Sequence, residues 1–311
     1  MAAELPPDLD PDAPDPRAVR RHFARAAATY DGAAVLQKEV GSRMAERLDV
    51  VKLTPASVLD AGCGTGDAQA ELAARYPKAR QLALDVALPM LAVAKSKASR
   101  RQSALARIFS TFTGGETSGD SGFVCGDIAA LPFAASAFDL VWSNLTLQWM
   151  SDLPASLGEI NRVLRIGGLV TFSTFGPDTL KELRAAFSGV DRYAHVGRFI
   201  DMHDIGDMLV HAGFAEPVMD MELVTLTYAK APAMMRDLKA IGATNATRAR
   251  PRALMGRSRW ERALAALETM RRDGRIPATF EVIYGHAWKA APIRTEEGHA
   301  IVRLTRPPRP R

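Results

Sequence analysis

The run Asp60-Ala61-Gly62-Cys63-Gly64-Thr65-Gly66 constrains the fold more than any other part of this 311-residue chain. It continues the short apolar run Ser57-Val58-Leu59, which is typical of a buried strand. Its three glycines permit a sharp turn and leave main-chain N–H groups bare for a ligand. The segment therefore predicts a strand that enters a ligand-binding turn, although a glycine-rich turn alone does not identify the ligand.

Strands and helices alternate on both sides of this turn. Strands are predicted at 57–60, 81–85, 123–125, 138–143, 168–174, 221–228 and 279–284. Helices are predicted at 17–29, 36–48, about 67–76, about 89–101, about 154–164 and within 232–272. This order predicts an α/β fold: a doubly wound, mostly parallel sheet of seven strands with helices on both faces.

The two ends differ from the body in composition. Residues 1–16 hold five acids and no base, and the last nine residues hold four arginines and no acid. These compositions predict a disordered acidic tail at 1–16 and a basic tail at 291–311, on either side of one domain at 17–290. Within the domain we expect a flexible insertion at about 102–122 and a substrate-side lid at about 175–215.

Composition also argues against several classes of protein. No apolar run is long enough for stable membrane insertion, and the N-terminal residues show no secretory signal. Two cysteines, Cys63 and Cys125, are too few for a disulfide framework, so we expect a cytoplasmic protein. The net charge of +5 is not accompanied by a zinc-finger, helix-turn-helix or RNA-binding motif, so we expect no nucleic-acid partner. We expect no metal site either, because Asp201 fits a helix cap better than a metal ligand.

Polar residues follow the ends of the other predicted strands. Asp85 ends the second strand, where a carboxylate can accept hydrogen bonds from both hydroxyls of a ribose. Asp127 and Ile128 follow the third strand, where an acid can bind the exocyclic amine of adenine, and Asn144 ends the fourth. Asp67, at the start of the next helix, would repel a pyrophosphate but tolerates a cationic sulfonium. With Asp60, Gly62, Gly64 and Gly66, these strand-end residues form the predicted cofactor-binding set.

This set of residues resembles class I methyltransferases, which implies S-adenosylmethionine as the cofactor. Over about residues 17–290 the chain looks more closely like the malonyl-acyl-carrier-protein O-methyltransferase family of biotin synthesis. The resemblance lies in HFARAAATYDGAAVLQ, FDLVWSNLTLQWMSDLP, MRDLKAIGAT and the pair Arg198-Phe199. Members of that family methylate the free carboxylate of a malonyl thioester. The resemblance therefore implies malonyl-acyl-carrier protein as substrate and partner.

Other segments resemble a mitochondrial complex I assembly factor that modifies an arginine. They are LQKEVGSRMAERLD, FGPDTLKELR and IPATFEVIYGHAWK. Arg198 and Lys239 follow the ester-forming family instead, so we favour the carboxyl O-methyltransferase. A methyltransferase for another small acceptor is the third alternative, because one fold and donor site serve many acceptors.

Few residues are expected to act on the acceptor. A carboxylate is ionised at neutral pH, so its methylation needs no general base. Arg198 is expected to clamp it and Tyr30 to close over the donor, as the catalytic pair. Trp149, Arg236 and Lys239 are the predicted substrate-binding residues. A dense basic stretch at 248–262 is expected to be solvated, with a dock for an acidic carrier protein as the alternative.

Overall fold

One sheet of seven strands organises the part of the chain described by the computed structural model, residues 10–109, 121–191, 193–251 and 253–291. The strands are β1 (Ser57–Ala61), β2 (Arg80–Asp85), β3 (Ser121–Cys125), β4 (Phe138–Ser143), β5 (Leu164–Phe175), β6 (Phe214–Tyr228) and β7 (Ile276–Lys289). Their order is β3-β2-β1-β4-β5-β7-β6. β1 to β5 are parallel, and β7 runs antiparallel between β5 and β6. The predicted seven-stranded, mostly parallel sheet is confirmed.

Helices occupy most of the connections between these strands. They are α1 (Pro16–Ala26), α2 (Tyr30–Ala33), α3 (Val35–Arg47), α4 (Gln69–Arg75), α5 (Leu88–Phe109), α6 (Leu153–Val163), α7 (Lys181–Ser188), α8 (Met202–His211), α9 (Ala231–Ala240) and α10 (Arg257–Thr269). As predicted, Asp201 caps α8, with its carboxylate accepting a hydrogen bond from the His203 N–H. Among the described residues, no helix combines the length and the apolar character needed to cross a membrane.

Successive residues of the central strands contribute to two separate cores. Val58, Leu140 and Leu169 pack with α3, α7, α9 and α10 on one face of the sheet. Their neighbours Leu59, Val141 and Val170 pack with α6 and α8 on the other face. Because side chains alternate along a strand, strands buried on both faces must be apolar at consecutive positions. This burial explains the continuous apolar runs in the sequence.

The sheet contains the crevice in which α/β folds bind ligands. β1 pairs with β2 on one side and with β4 on the other. The chain therefore runs outward through β2 and β3 and then returns across β1 to β4. Connections leave the carboxyl ends of β1 and β4 in opposite directions, which opens a crevice at that edge. The predicted cofactor-binding residues lie at or just after the carboxyl ends of β1, β2, β3 and β4, along the same edge of the sheet.

The N-terminal segment differs from the prediction of a disordered tail. Residues 10–16, which we call the N-terminal strap, lie against the segment 246–250. The Asp15 N–H donates to the Ala246 carbonyl at 2.8 Å, and the Arg248 N–H donates to the Ala13 carbonyl at 3.0 Å. The Asp15 carboxylate pairs with Arg250 at 2.9 Å. Composition alone could not reveal this distant complementary segment. The rest of the predicted acidic tail, residues 1–9, and residues 292–311 of the predicted basic tail lie outside the described residues.

Two further boundaries also differ from the prediction. Ile205 and Leu209 of α8 are buried in the core, so this part of the predicted lid segment 175–215 also covers the sheet. The amphipathic pattern of this helix fits a core layer as well as a lid. At the predicted insertion, residues 102–109 continue α5, and residues 110–120 lie outside the described residues.

Candidate active site

The turn after β1 has the backbone shape that its glycines predict. Gly62, Gly64 and Gly66 all have positive φ, of 86°, 53° and 76°. A Cβ on Gly62 would lie 2.3 Å from the Thr146 side chain, so close packing also requires glycine there. Gly62 and Gly64 line a pocket at the sheet edge, which we call the donor pocket. Gly66 does not line it. A Cβ on Gly66 would lie 2.9 Å from the Ala94 side chain of α5, so close packing requires glycine here too, and the contact of Gly66 with the cofactor stays a prediction.

Asp85 is held in a fixed orientation at the end of β2. Its carboxylate accepts backbone hydrogen bonds from Gly64 at 2.9 Å and from Ala87 at 2.8 Å. Burial raises the pKa of Asp85, and these two hydrogen bonds oppose the shift. The side chain lines the donor pocket, and a carboxylate retains lone pairs for two ligand hydroxyls. This geometry suits the predicted contact with a ribose.

The other predicted strand-end residues also line the donor pocket. Asp127 is partly buried and accepts the Ala129 N–H at 2.9 Å, while Ile128 is buried beside it. The Asn144 side chain already has two protein partners: it donates to the Gln37 carbonyl at 2.9 Å and accepts from the Ser173 hydroxyl at 2.7 Å. Asn144 therefore joins α3 to the sheet and shapes the pocket wall.

Asp60 lies behind the glycine turn, in a small polar hollow. It does not line the donor pocket, and it accepts a hydrogen bond from Gln69 at 2.7 Å. Burial raises the pKa of Asp60 to about 7, and the carboxylates of Asp85 and Asp67 add to the shift, against the Gln69 hydrogen bond. Asp60 therefore titrates near neutral pH.

Two buried polar atoms at this hollow have no hydrogen-bond partner among the described residues. They are Oε1 of Gln37, an acceptor, and Nε1 of Trp142, a donor. An unpaired buried polar group costs free energy, so both atoms favour a ligand with a polar end. The methionine end of S-adenosylmethionine carries an ammonium and a carboxylate, which fits this donor and acceptor pair.

Helix α1 covers the donor pocket from the solvent side. Pro16, Val19 and Phe23 line the pocket. Phe23 packs edge to face with Trp149, with ring centroids 5.3 Å apart. Such aromatic pairs are favourable beyond the area that they bury. An entry segment that closes over the donor, as predicted, would therefore include α1 as well as Tyr30.

A second cavity, of about 290 Å³, adjoins the donor pocket, and we call it the acceptor cavity. Phe23, Tyr30, Leu145 and Trp149 line both. Most of its remaining wall is apolar and comes from Phe175, Leu180, Leu183, Phe187, Val196, Phe199, Met235, Leu238, Ile241, Met255, Trp260 and Phe280. A group held in this cavity beside Tyr30 would therefore lie next to the donor in a largely apolar space.

Four of the five residues predicted to act on the acceptor line this cavity. They are Tyr30, Trp149, Arg198 and Lys239. Arg236 does not line it and is exposed on α9. Met235, Leu238 and Lys239 follow the i, i+3, i+4 spacing of one helix face, from which Arg236 is displaced by about 100°. Arg236 therefore does not border the acceptor cavity, and its role in substrate binding stays a prediction.

Sequence reasoning missed His195 as a residue of the acceptor side. His195 lines the acceptor cavity, and its Nε2 lies 2.9 Å from a carboxylate oxygen of Asp191. Its ring stacks on Phe187 with centroids 4.2 Å apart. In the sequence, the i, i+4 spacing of Asp191 and His195 could have suggested that the two side chains interact. The spacing alone does not show that His195 lines a cavity. Within the described ranges, no three or more His, Cys, Asp or Glu side chains are grouped so that they could hold a metal ion.

Known proteins of similar sequence identify the family of the chain. The Methyltransf_11 family model, described as a methyltransferase domain, matches residues 59–172. The malonyl-[acyl-carrier protein] O-methyltransferase of Gallionella capsiferriformans is 54% identical over 291 residues, covering 94% of this chain and 97% of that protein. The enzyme of the same name from Laribacter hongkongensis is 54% identical over 277 residues, covering 89% of this chain and 90% of that protein.

Solved structures support the fold. The YcgJ protein of Bacillus subtilis superposes with a TM-score of 0.56 at 15% identity, covering 81% of this chain and 99% of that one. The predicted class I methyltransferase fold and S-adenosylmethionine cofactor are confirmed, and the chain is an S-adenosylmethionine-dependent methyltransferase. Since relatives at 54% identity extend over most of its length, the chain belongs to the malonyl-[acyl-carrier protein] O-methyltransferase family.

Proposed function

We propose that this enzyme transfers the methyl group of S-adenosylmethionine to the free carboxylate of malonyl-acyl-carrier protein, as its relatives' names state for them. The product is a malonyl methyl ester thioester, which the family resemblance assigns to biotin precursor synthesis. These relatives favour this function over a complex I assembly factor or a methyltransferase for another small acceptor.

One feature of the acceptor cavity carries the proposal. Arg198 and Lys239 border an otherwise largely apolar wall, and neither makes an ion pair within the described part of the chain. Among the described residues, Asp12 and His195 are the other charged or titratable side chains that border it, apart from Tyr30. Two cations without ion-pair partners beside an apolar cavity favour a small anionic acceptor, such as a carboxylate on a thioester arm.

The reaction needs alignment and little proton chemistry. A carboxylate oxygen attacks the sulfonium methyl, the new C–O bond forms as the S–C bond breaks, and the electron pair of that bond stays on sulfur. Both charges disappear in this step, so a water-poor site favours it. The reacting atoms must be held about 3–3.5 Å apart and in line. Arg198 would clamp one carboxylate oxygen and leave the other free to attack.

Tyr30 would act as a neutral hydroxyl. Burial raises the pKa of Tyr30, and the carboxylates of Asp85, Asp67 and Asp31 raise it further. The phenol therefore keeps its proton at neutral pH and can donate a hydrogen bond, but it cannot serve as a base. Its position on the wall between the donor pocket and the acceptor cavity suits a residue that orients the two reactants.

The chain offers a basic surface for the carrier protein near the acceptor cavity. Arg257, Arg259 and Arg262 are exposed on α10, whose Trp260 lines that cavity. Arg248 and Arg250 of the predicted basic stretch do not contribute in the same way, since Arg250 pairs with Asp15 and Nε of Arg248 is buried. The cleft on the other side of Arg198 is bordered by Asp10, Asp12, Asp152, Asp201 and Asp204. An acidic carrier would therefore approach from α10.

The direct test is mass spectrometry of the carrier. Purified enzyme with S-adenosylmethionine should add one methyl group to malonyl-acyl-carrier protein, and acetyl-acyl-carrier protein should not react because it has no carboxylate to attack. An unmodified malonyl carrier would contradict the proposal. Methylation of a respiratory-complex subunit on arginine would favour the assembly-factor alternative.

The free thiols of Cys63 and Cys125 support a proposed location in a reducing compartment, the cytoplasm.

A further inference from the structure

Three side chains from three separate elements meet beside the donor pocket. The Asp31 carboxylate, on α2, lies 2.6 Å from Nζ of Lys97 on α5. Its other oxygen accepts a hydrogen bond from the Thr65 hydroxyl, in the glycine turn, at 2.6 Å. Lys97 also donates to the Thr65 hydroxyl at 3.2 Å. The three groups thus close a ring of contacts, which we call the Asp31 latch.

The latch is partly shielded from water. Thr65 is 1% exposed, and the side chains of Lys97 and Asp31 are 26% and 38% exposed. Burial alone would raise the pKa of Asp31, but the hydrogen bonds from Lys97 and Thr65 outweigh it and lower the pKa. The carboxylate is therefore ionised at neutral pH, and its contacts are charge-assisted.

Helix α2 depends on tertiary contacts such as those of the Asp31 latch. It spans four residues, too few to be stable alone, and its cap residue Thr29 makes no capping hydrogen bond. Tyr30, which lines both the donor pocket and the acceptor cavity, directly precedes Asp31 in the chain. On the other side of the latch, Thr65 belongs to the turn whose Gly64 N–H orients Asp85. The latch therefore connects the residue above the donor to the turn beneath it.

We propose that the Asp31 latch holds Tyr30 and α2 over bound S-adenosylmethionine, and that Asp31 is a positioning residue whose contacts must open before the donor leaves. Asp31 acts here through Tyr30 and the glycine turn. The inference rests on the donor pocket alone, and it holds whichever acceptor the enzyme uses.

The test measures how fast the donor dissociates in the absence of any acceptor. S-adenosylmethionine release can be followed by the fluorescence of Trp149, which lines the donor pocket. Asp31→Asn and Lys97→Met should each speed release about tenfold. The double variant should be no faster than either single variant, because both changes break the same contact. Lys97→Arg keeps the charge and should restore most of the slow release.

A second ion pair supplies a matched control. Arg75 and Asp49 also approach to 2.6 Å between separate elements, and neither residue borders the donor pocket, the acceptor cavity or the hollow. Asp49→Asn should leave donor release unchanged. Release within twofold of wild type in folded Asp31→Asn and Lys97→Met would overturn the proposal, as would equal acceleration in Asp49→Asn. If Asp31→Asn fails to fold, Lys97→Met decides alone.

Discussion

At the scale of single residues, charge and solvent exposure determine what each side chain can do. Arg198 and Arg236 are both exposed arginines near the acceptor side, yet only Arg198 borders the acceptor cavity. They therefore form a natural pair for comparison, since the same substitution removes the same charge from two neighbouring regions.

Arg198→Met should lower kcat/KM for the malonyl carrier about 10- to 100-fold, because it removes a charge-assisted contact to the acceptor carboxylate. Donor affinity, measured by calorimetry, should stay close to that of wild type. Arg236→Met is the control and should retain nearly full activity. Equal losses of kcat/KM in the two variants would mean that Arg198 only adds to the positive potential around the acceptor cavity and does not contact the acceptor carboxylate.

Asp60 gives the folded enzyme a pH dependence that can be measured. Its pKa is raised to about 7 in the fold, against about 4 in an unfolded chain. The folded state therefore binds the proton more tightly, and this contribution to stability is complete below about pH 4 and lost between about pH 4 and 7. Without donor, Asp60→Asn should remove that decline and raise the unfolding free energy at pH 8 by about 1–4 kcal/mol. Denaturant titrations at pH 5 and 8 give the unfolding free energy of both proteins. If the assignment is wrong, the unfolding free energy will change with pH equally in the wild type and in Asp60→Asn.

The residues predicted from sequence are those fixed by local geometry. Asp85, Asp127 and Asn144 could be placed because they follow strands whose carboxyl ends must meet at one edge of the sheet. Arg236 lies off the cavity-lining face of α9, because the rotation of that helix, which a motif does not encode, determines which of its residues border the cavity. Asp31, Lys97 and His195 could not be assigned, since their roles arise from contacts between elements or with a cavity that no short pattern specifies.

At the scale of elements, the cover of the donor pocket is attached to the wall of the acceptor cavity. His22 of α1 lies 2.7 Å from the Thr244 hydroxyl, and the Thr29 hydroxyl donates to the Ala240 carbonyl at 2.8 Å. The N-terminal strap adds the Asp15–Arg250 ion pair. The two sites therefore share one supporting structure. The sequence predicted the helices of this region but not their attachment, because composition alone suggested a free tail.

Arg250→Met should weaken donor binding about fivefold, because a partly buried ion pair that holds α1 over the pocket is lost. Calorimetry with S-adenosylmethionine measures this directly. Arg259→Met, a change in the same basic stretch at an exposed position, should bind the donor as wild type does. Unchanged affinity in Arg250→Met would show that the strap does not support the pocket cover.

At the scale of the whole molecule, charges of opposite sign flank the acceptor cavity. The exposed arginines of α10 lie on one side, and the acidic cleft beside Arg198 lies on the other. Reversing two α10 charges together, Arg259→Glu with Arg262→Glu, should raise KM for the malonyl carrier about tenfold and leave kcat nearly unchanged. High salt should reduce the difference, because surface charges are screened over about 8–10 Å. Arg80→Glu, at the amino end of β2 and hence the opposite edge of the sheet, is the control. A similar KM increase in that control would indicate an effect of net charge alone.

The position of β7 between β5 and β6 has a consequence for biosynthesis. Within the described ranges of the chain, β6 pairs only with β7, and it leaves the ribosome well before β7 does. Until β7 arrives, the nascent chain carries an open edge at β5 and a free strand whose Val218, Met221 and Leu223 remain more than one-third exposed even after folding. Both features invite association with other chains, so chaperones would act most usefully during this interval. A truncation between Tyr228 and Ile276 deletes only β7 from the sequence, yet it leaves β6 without its partner, so two strands are lost from the sheet.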